Sequence, residues 1–347
     1  MKKLSVLLLL GAVLNLLFTL EAAACTRVVY QGPENTFITA RSMDWKDEIP
    51  ANMWIFPRGM QRTGEVGPNS VTWKSRYGSV IVSSFNNSTS DGMNEKGLVA
   101  NMLWLAESEY PKYDGKQKGL TIAAWAQYVL DNFASVKEAV DELGKEKFVI
   151  ASDFMPGSDK FVTLHLSISD ATGDNAIFEY LGGKLTIHHD RSYTVMTNSP
   201  IFSKQLALNE YWSSIPGTMM LPGTNRAADR FVRASYYIKA IRQTSDVRIA
   251  VAGAFSVIRN CSVPFGISTK NEPNISSTRW RTVSDQKNLT YYFENVLTPN
   301  VFWVDFKKVD FSEKAPVKKL ALEKYETYTG DAVGSFKTAK AFKFQGL

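Results

Sequence analysis

Apolar residues recur along the chain with two different periods. In the first part, four short runs rich in β-branched and other apolar residues predict strands: CTRVVY (25–30), NTFITARSM (35–43), GSVIVSSF (78–85) and GLVANMLWL (97–105). Turn signals such as Gly32-Pro33 and Asp91-Gly92 separate them. Residues 120–146 then take a helical period. Within them Ser135 and Glu138 form a capping box, and Val136, Val140 and Leu143 recur at helical spacing before Gly144. Alternation returns in FVTLHLSISD (161–170), and NAIFEYLGGKLTIHH (175–189) predicts a hairpin turning at Gly182-Gly183. A further strand is expected in SYTVMTNSP (192–200), ending in a turn at Asn198-Ser199-Pro200. Helices are predicted over 202–212, 226–242 and 247–260, and strands over 277–285, 289–295 and 301–309.

This succession lacks the regular alternation of a doubly wound parallel sheet. It predicts an α+β fold in which antiparallel sheets, two of them face to face, carry helices on their outer sides. There is no internal repeat, low-complexity tract or linker to divide the chain.

The first 24 residues change the picture. Lys2 and Lys3 precede an apolar run over 4–20, and Ala22-Ala23-Ala24 follows it. That is the pattern of a secretory signal removed after Ala24, leaving residues 25–347 as one domain, periplasmic or secreted and without stable membrane association. A retained anchor is the competing reading, since the run is about long enough to span a bilayer at roughly 20 residues. Loss of Lys2, Lys3 and Glu21 lowers the net charge from +6 to about +5. The basic residues are dispersed, which argues against a nucleic acid partner.

Cleavage would place one of the chain's two cysteines first. Cys25 could then be a lipid anchor, although Ala22 stands where lipoprotein leaders usually carry leucine. It could pair with Cys261, whose apolar context suits a buried thiol instead. Or it could be a nucleophile carrying its own base, because an α-amine titrates at roughly 7.7–8.0 and can accept the thiol proton. His165, His188 and His189 lack metal-ligand spacing and read as core or surface residues, so no metal and no cofactor is expected. Arg41 and Asp44 point to opposite faces of a strand unless it bulges; Arg41 could favour a thiolate and Asp44 could hold the amine. Read alone, Asn198 is a turn residue and Arg230 a solvated helix charge.

Five motifs in order, CTR, ARSMDW, DGMNEKGLVANML, VMTNSP and LPGTNRAADRFVRASYY, resemble the choloylglycine hydrolase family of N-terminal nucleophile hydrolases over residues 25 to about 306. The resemblance implies a four-layer αββα sandwich. It also implies Cys25 as nucleophile and base, Arg41 beside it, Asp44 on its amine, Asn198 as oxyanion donor and Arg230 as organiser of the site. Trp104 stands where many bile salt hydrolases have asparagine. The family uses this position's backbone N–H for the oxyanion, and the Trp104 and Trp45 side chains are expected to bind the acyl group. The short segment between Asn198 and Arg230 resembles the Gram-negative branch. The expected reaction is hydrolysis of a small-molecule linear amide through a Cys25 thioester, of the penicillin V acylase or N-acyl homoserine lactone acylase type. Conjugated bile salt hydrolysis is the alternative, and a non-catalytic exported binding protein or lipoprotein is the competitor from another class. The family is often tetrameric, so a homotetramer is expected.

Overall fold

A computed structural model describes residues 25–155, 158–268, 276–298 and 300–347; the leader expected over 1–24 lies outside the described residues. Chain order begins β1 (Thr26–Gly32), β2 (Thr36–Trp45), β3 (Ala51–Phe56), β4 (Gln61–Thr63), β5 (Thr72–Lys74), β6 (Ser79–Ser84), β7 (Ser88–Asn94) and β8 (Val99–Trp104). It continues β9 (Gly119–Thr121), α1 (Trp125–Asn132), α2 (Val136–Leu143), β10 (Val149–Ala151), β11 (Leu164–Ser169), β12 (Asn175–Leu181), β13 (Lys184–His189) and β14 (Val195–Thr197). Then come α3 (Phe202–Ser213), α4 (Ala227–Ala240), α5 (Val247–Asn260), β15 (Ser277–Asp285), β16 (Thr290–Asn295) and β17 (Val301–Asp305). The last strands are β18 (Lys318–Ala321), β19 (Gly330–Asp331) and β20 (Lys337–Thr338).

Two large sheets dominate. One has seven strands in the order β14-β1-β2-β15-β16-β17-β19, and the other nine in the order β13-β12-β11-β8-β7-β6-β3-β18-β20. Neighbours are antiparallel except β17 and β19. Helices α4 and α5 pack on the seven-stranded sheet, and α1 and α2 on the nine-stranded one. The result is the αββα layering that the resemblance implied.

Strand periodicity explains the layers. Along β3 and β6, Met53, Ile55, Val80 and Val82 enter the cluster shared with the seven-stranded sheet, whereas Trp54, Phe56 and Ile81 enter the cluster under α1 and α2. Both faces are therefore apolar, as sheets covered on both sides require. A fully buried aliphatic or aromatic side chain contributes about 1.5–3 kcal/mol here.

Several expectations are corrected. Residues 120–146 are not one helical block: Leu120 and Thr121 belong to β9, and Phe133 separates α1 from α2. The Ser135 cap forms as expected, its side chain accepting from Glu138 N, and Gly144 caps α2. Asp91-Gly92 is no turn but lies inside β7. A Cβ at Gly92 would come within 2.8 Å of Val80 O and 3.0 Å of a Leu130 methyl, so glycine there permits the close approach of α1. The Gly182-Gly183 hairpin is borne out, with φ of +57° and +75° at the two residues.

Candidate active site

Cys25 immediately precedes β1, where Thr26 pairs with Ser42 of β2. This register sets Cys25 level with Met43, and its thiol lies 3.8 Å from Met43 Sδ and 3.7 Å from the backbone oxygen of Asp44. Arg41, two positions before Met43 and thus on the same face, reaches into the layer between the sheets. Its Nη2 donates to Met102 O at 2.9 Å and approaches Cys25 Sγ at 3.9 Å. Asp91 lies 4.0 Å from the other Arg41 nitrogen, and Trp280 stacks on the guanidinium at 4.5 Å. Asp91 is itself fixed by Asn101 Nδ2 at 2.7 Å and by the Tyr291 hydroxyl.

Asp44 points to the opposite face, as strand alternation predicted. There Thr278 Oγ1 donates to it at 2.6 Å, Ser42 Oγ at 3.3 Å, and Arg230 Nη1 lies 3.7 Å away. Arg230 is completely buried, which corrects its reading as a solvated helix charge. From α4 it donates to the Cys25 carbonyl at 2.7 Å, to Thr26 Oγ1, and to Asn198 Oδ1 at 3.1 Å. Asn198 in turn donates through Nδ2 to Trp104 O at 2.8 Å. The four expected polar residues thus form one buried cluster around Cys25, and Arg230 is its hub.

The electrostatics follow from burial. Loss of solvent pushes the Cys25 thiol above its ordinary value, with Arg41 and Arg230 pulling the other way. Burial likewise pushes Asp44 up to about 6, against the opposing pull of Arg230 and the hydrogen bond from Thr278. Cys261 caps the end of α5, is a free thiol like Cys25, and is pushed up to about 11 by burial. At Cys25 burial therefore outweighs the pull of the two arginines.

Next to the thiol opens an apolar cavity with about 120 Å³ of free space. Trp45 and Trp104 meet at its wall with ring centroids 5.3 Å apart, and the Lys160 ammonium lies 4.7 and 4.5 Å from them. The cavity exists because two neighbouring strands part. The β7–β8 ladder runs only from Met93–Val99 to Asp91–Asn101, and β7 changes register against β6 beyond Val82. Residues 102–104 of β8 then remain paired with β11 alone. Leu105 N donates to Thr163 O of the segment preceding β11, so by alternation the Trp104 N–H points the other way, toward this gap.

Sequence reasoning missed Asp91, Asn101, Thr278, Tyr291 and Trp280. Asp91 and Asn101 stand inside the motif DGMNEKGLVANML and were open to notice as polar residues in an apolar run. Thr278 meets Asp44 across 234 positions and carries no local signal. Among the described residues no group of His, Cys, Asp or Glu could hold a metal ion.

Residues 25–319 match the linear amide C–N hydrolases of the choloylglycine hydrolase family. The chain belongs to that family. It is a hydrolase of linear amides. Over 93% of its length and 93% of the relative's, it is 53% identical to a penicillin V acylase of Pectobacterium atrosepticum. It superposes on the structure of a penicillin V acylase from Agrobacterium tumefaciens with a TM-score of 0.88, at 60% identity, covering 93% of this chain and 100% of that one. Both organisms agree with the Gram-negative branch of the choloylglycine hydrolases. A bile salt hydrolase/transferase of Lactiplantibacillus plantarum is more distant, 24% identical over 78% of this chain and 88% of that protein. The fold is shared with a conjugated bile acid hydrolase of Clostridium perfringens at a TM-score of 0.72 and 21% identity, over 88% of this chain and 98% of that one.

Proposed function

We propose that this choloylglycine hydrolase is an exported penicillin V acylase-type enzyme, or one acting on N-acyl homoserine lactones, in which Cys25 is nucleophile and base. The observation that carries this reading is the buried Cys25 thiol, 3.9 Å from Arg41 Nη2, at the wall of an apolar cavity bearing Trp45 and Trp104. Cleavage after Ala24 frees the amine of Cys25, and residues 25–347 act as one periplasmic or secreted domain. The thiol sulfur adds to the amide carbonyl carbon while its proton passes to that amine, which the Asp44 carboxylate supports. The second Asn198 Nδ2 hydrogen and the Trp104 N–H stabilise the oxyanion. The C–N bond then breaks, the leaving amine takes the proton, and water releases the acyl group from the thioester as a carboxylic acid and restores the thiol.

Trp45 and Trp104 suit a flat or flexible apolar acyl group such as phenoxyacetyl or a fatty chain. The same reading includes a homotetramer. Tyr211, Met219 and Met220, 64%, 79% and 59% exposed on α3 and the loop after it, supply an apolar surface for it.

The test combines N-terminal sequencing and intact mass with a substrate panel. Active protein is expected to begin at an unmodified Cys25 and to hydrolyse penicillin V or a long-chain N-acyl homoserine lactone faster than glycocholate. Full activity in protein that retains residues 1–24 would reject the mechanism, and a preference for glycocholate would move the assignment to bile salts.

A further inference from the structure

We propose that the segment from Phe342 to Leu347, beyond the residues matched to the family, forms the distal wall of the acyl cavity, so that Gln345 and Gly346 set how long an acyl group it accepts. This rests on the reading of that cavity as the acyl site. Gln345 and Gly346 line the same cavity as Cys25, Trp45 and Trp104. They stand on the side lined by Thr121, to which Gln345 is bonded, and by Ile122 and Ala123. Cys25, Met43, Trp45 and Trp104 belong to the cluster between the sheets, whereas Ile122, Ala123 and Met102 on the same wall belong to the cluster beneath α1.

The segment is built in rather than laid on. Phe342 and Phe344 pack edge-on to each other at 5.4 Å, and Phe342 packs on Trp54 and Phe56 at 5.3 and 5.6 Å. The Arg62 guanidinium lies against Phe56 at 4.4 Å and Phe344 at 5.4 Å. Gln345 N donates to Asn87 O at 2.8 Å, and its carbonyl accepts from Thr121 Oγ1 at 2.7 Å. Its side-chain Oε1 accepts from Asn87 Nδ2 at 3.1 Å. Asn87 and Thr121 also line the cavity, so Gln345 joins two of its walls. Gly346 is pressed on Glu65, where an added Cβ would come within 2.6 Å of the backbone oxygen. A side chain at 346 therefore moves this strand of chain away from Glu65 and into the cavity.

Two substitutions should shift selectivity in opposite directions. Removing the Gln345 side chain lengthens the cavity, so Gln345→Ala is expected to raise the ratio of kcat/KM for decanoyl over phenoxyacetyl amides by about tenfold, the scale of a methylene or two of pocket. Gly346→Ala is expected to lower that ratio, and Gln345→Met, which keeps the volume, to stay near the parent. A ratio that stays constant in Gln345→Ala, or that moves the same way in both alanine variants, would overturn the proposal. So would an equal loss on every acyl group with a lowered Tm, since that is what a purely structural segment would produce. Protection of Cys25 from alkylation by decanoate and by phenoxyacetate reads the cavity without turnover. If the parent hydrolyses neither amide, the catalytic reading fails alone, and opposite shifts in protection still support the wall while unchanged protection rejects it.

Discussion

Cys25 is surrounded by groups that act on its protonation in opposite senses. Burial raises its pKa, while Arg41 at 3.9 Å and Arg230 through the Cys25 carbonyl favour the charged form. A hydroxyl in that place is far less acidic, and in the proposed mechanism the amine base can hardly activate it. Cys25→Ser is therefore expected to reduce turnover by a factor on the order of 10³ or more while the fold is kept. Near-normal amide hydrolysis with unchanged circular dichroism would remove Cys25 from the nucleophile's role. In the same proposal Trp104 acts through two parts. Its backbone N–H faces the gap beside β7, and its ring meets Trp45. Trp104→Ala is expected to cost about 1–3 kcal/mol of transition-state binding for a phenoxyacetyl amide relative to an acetyl amide. An equal loss on both substrates, accompanied by lower stability, would show the ring to be packing alone.

At the scale of elements, the β12–β13 hairpin is tied to the start of α3 through one carboxylate. Glu179 is fully buried, which acts to raise its pKa, but contacts with His165 at 3.2 Å and His188 at 3.3 Å and the amide of Phe202 hold it at about 2. Because the folded value lies below the ordinary 4.5, Glu179 stabilises the fold above that pH and loses the contribution as pH falls toward 2. Glu179→Gln is expected to flatten the acid limb of a urea-unfolding series by about 1–3 kcal/mol. Parallel acid limbs in parent and variant would contradict the assignment. Cys261, at the end of α5, is a free buried thiol that feels the charges of Arg230 and Asp44. Cys261→Ala should retain catalysis and lose at most about 1–2 kcal/mol through a small cavity. Non-reducing peptide mapping that found Cys25 joined to Cys261 in active enzyme would refute this.

For the whole molecule, the proposed tetramer directs attention to the apolar side chains left outside the two cores. Tyr211, Met219 and Met220 are exposed on and after α3, far in sequence from the lining of the cavity beside Cys25. Sedimentation is expected to give four chains per particle, and Met219→Glu with Met220→Glu to shift the mass downward. A monomer in the parent at micromolar concentration would exclude the tetramer. Among the described residues no helix is long and apolar enough to cross a membrane.

Local pattern was enough to read what local forces decide. Apolar runs between turn signals mark β1, β2, β6 and β8, alternation marks β11, and Gly182-Gly183 marks the β12–β13 hairpin. The helical period marks α5 with both of its ends. The opposite facing of Arg41 and Asp44 was also legible, since it follows from counting along β2, whereas their grouping with Cys25 came from the motifs of the resemblance. The interior strand β3 escaped notice, because ANMWIF is apolar on both faces and has no alternation to detect. Gly92 looked like a turn because its reason, the approach of α1, comes from a separate part of the chain. The burial of Arg230, the clamp of Thr278 on Asp44 and the arrival of Gln345 at the cavity beside Cys25 all join residues that are distant in sequence. Such contacts are set by the stacking of the two sheets, where a side chain's solvent access depends on what the rest of the chain lays over it.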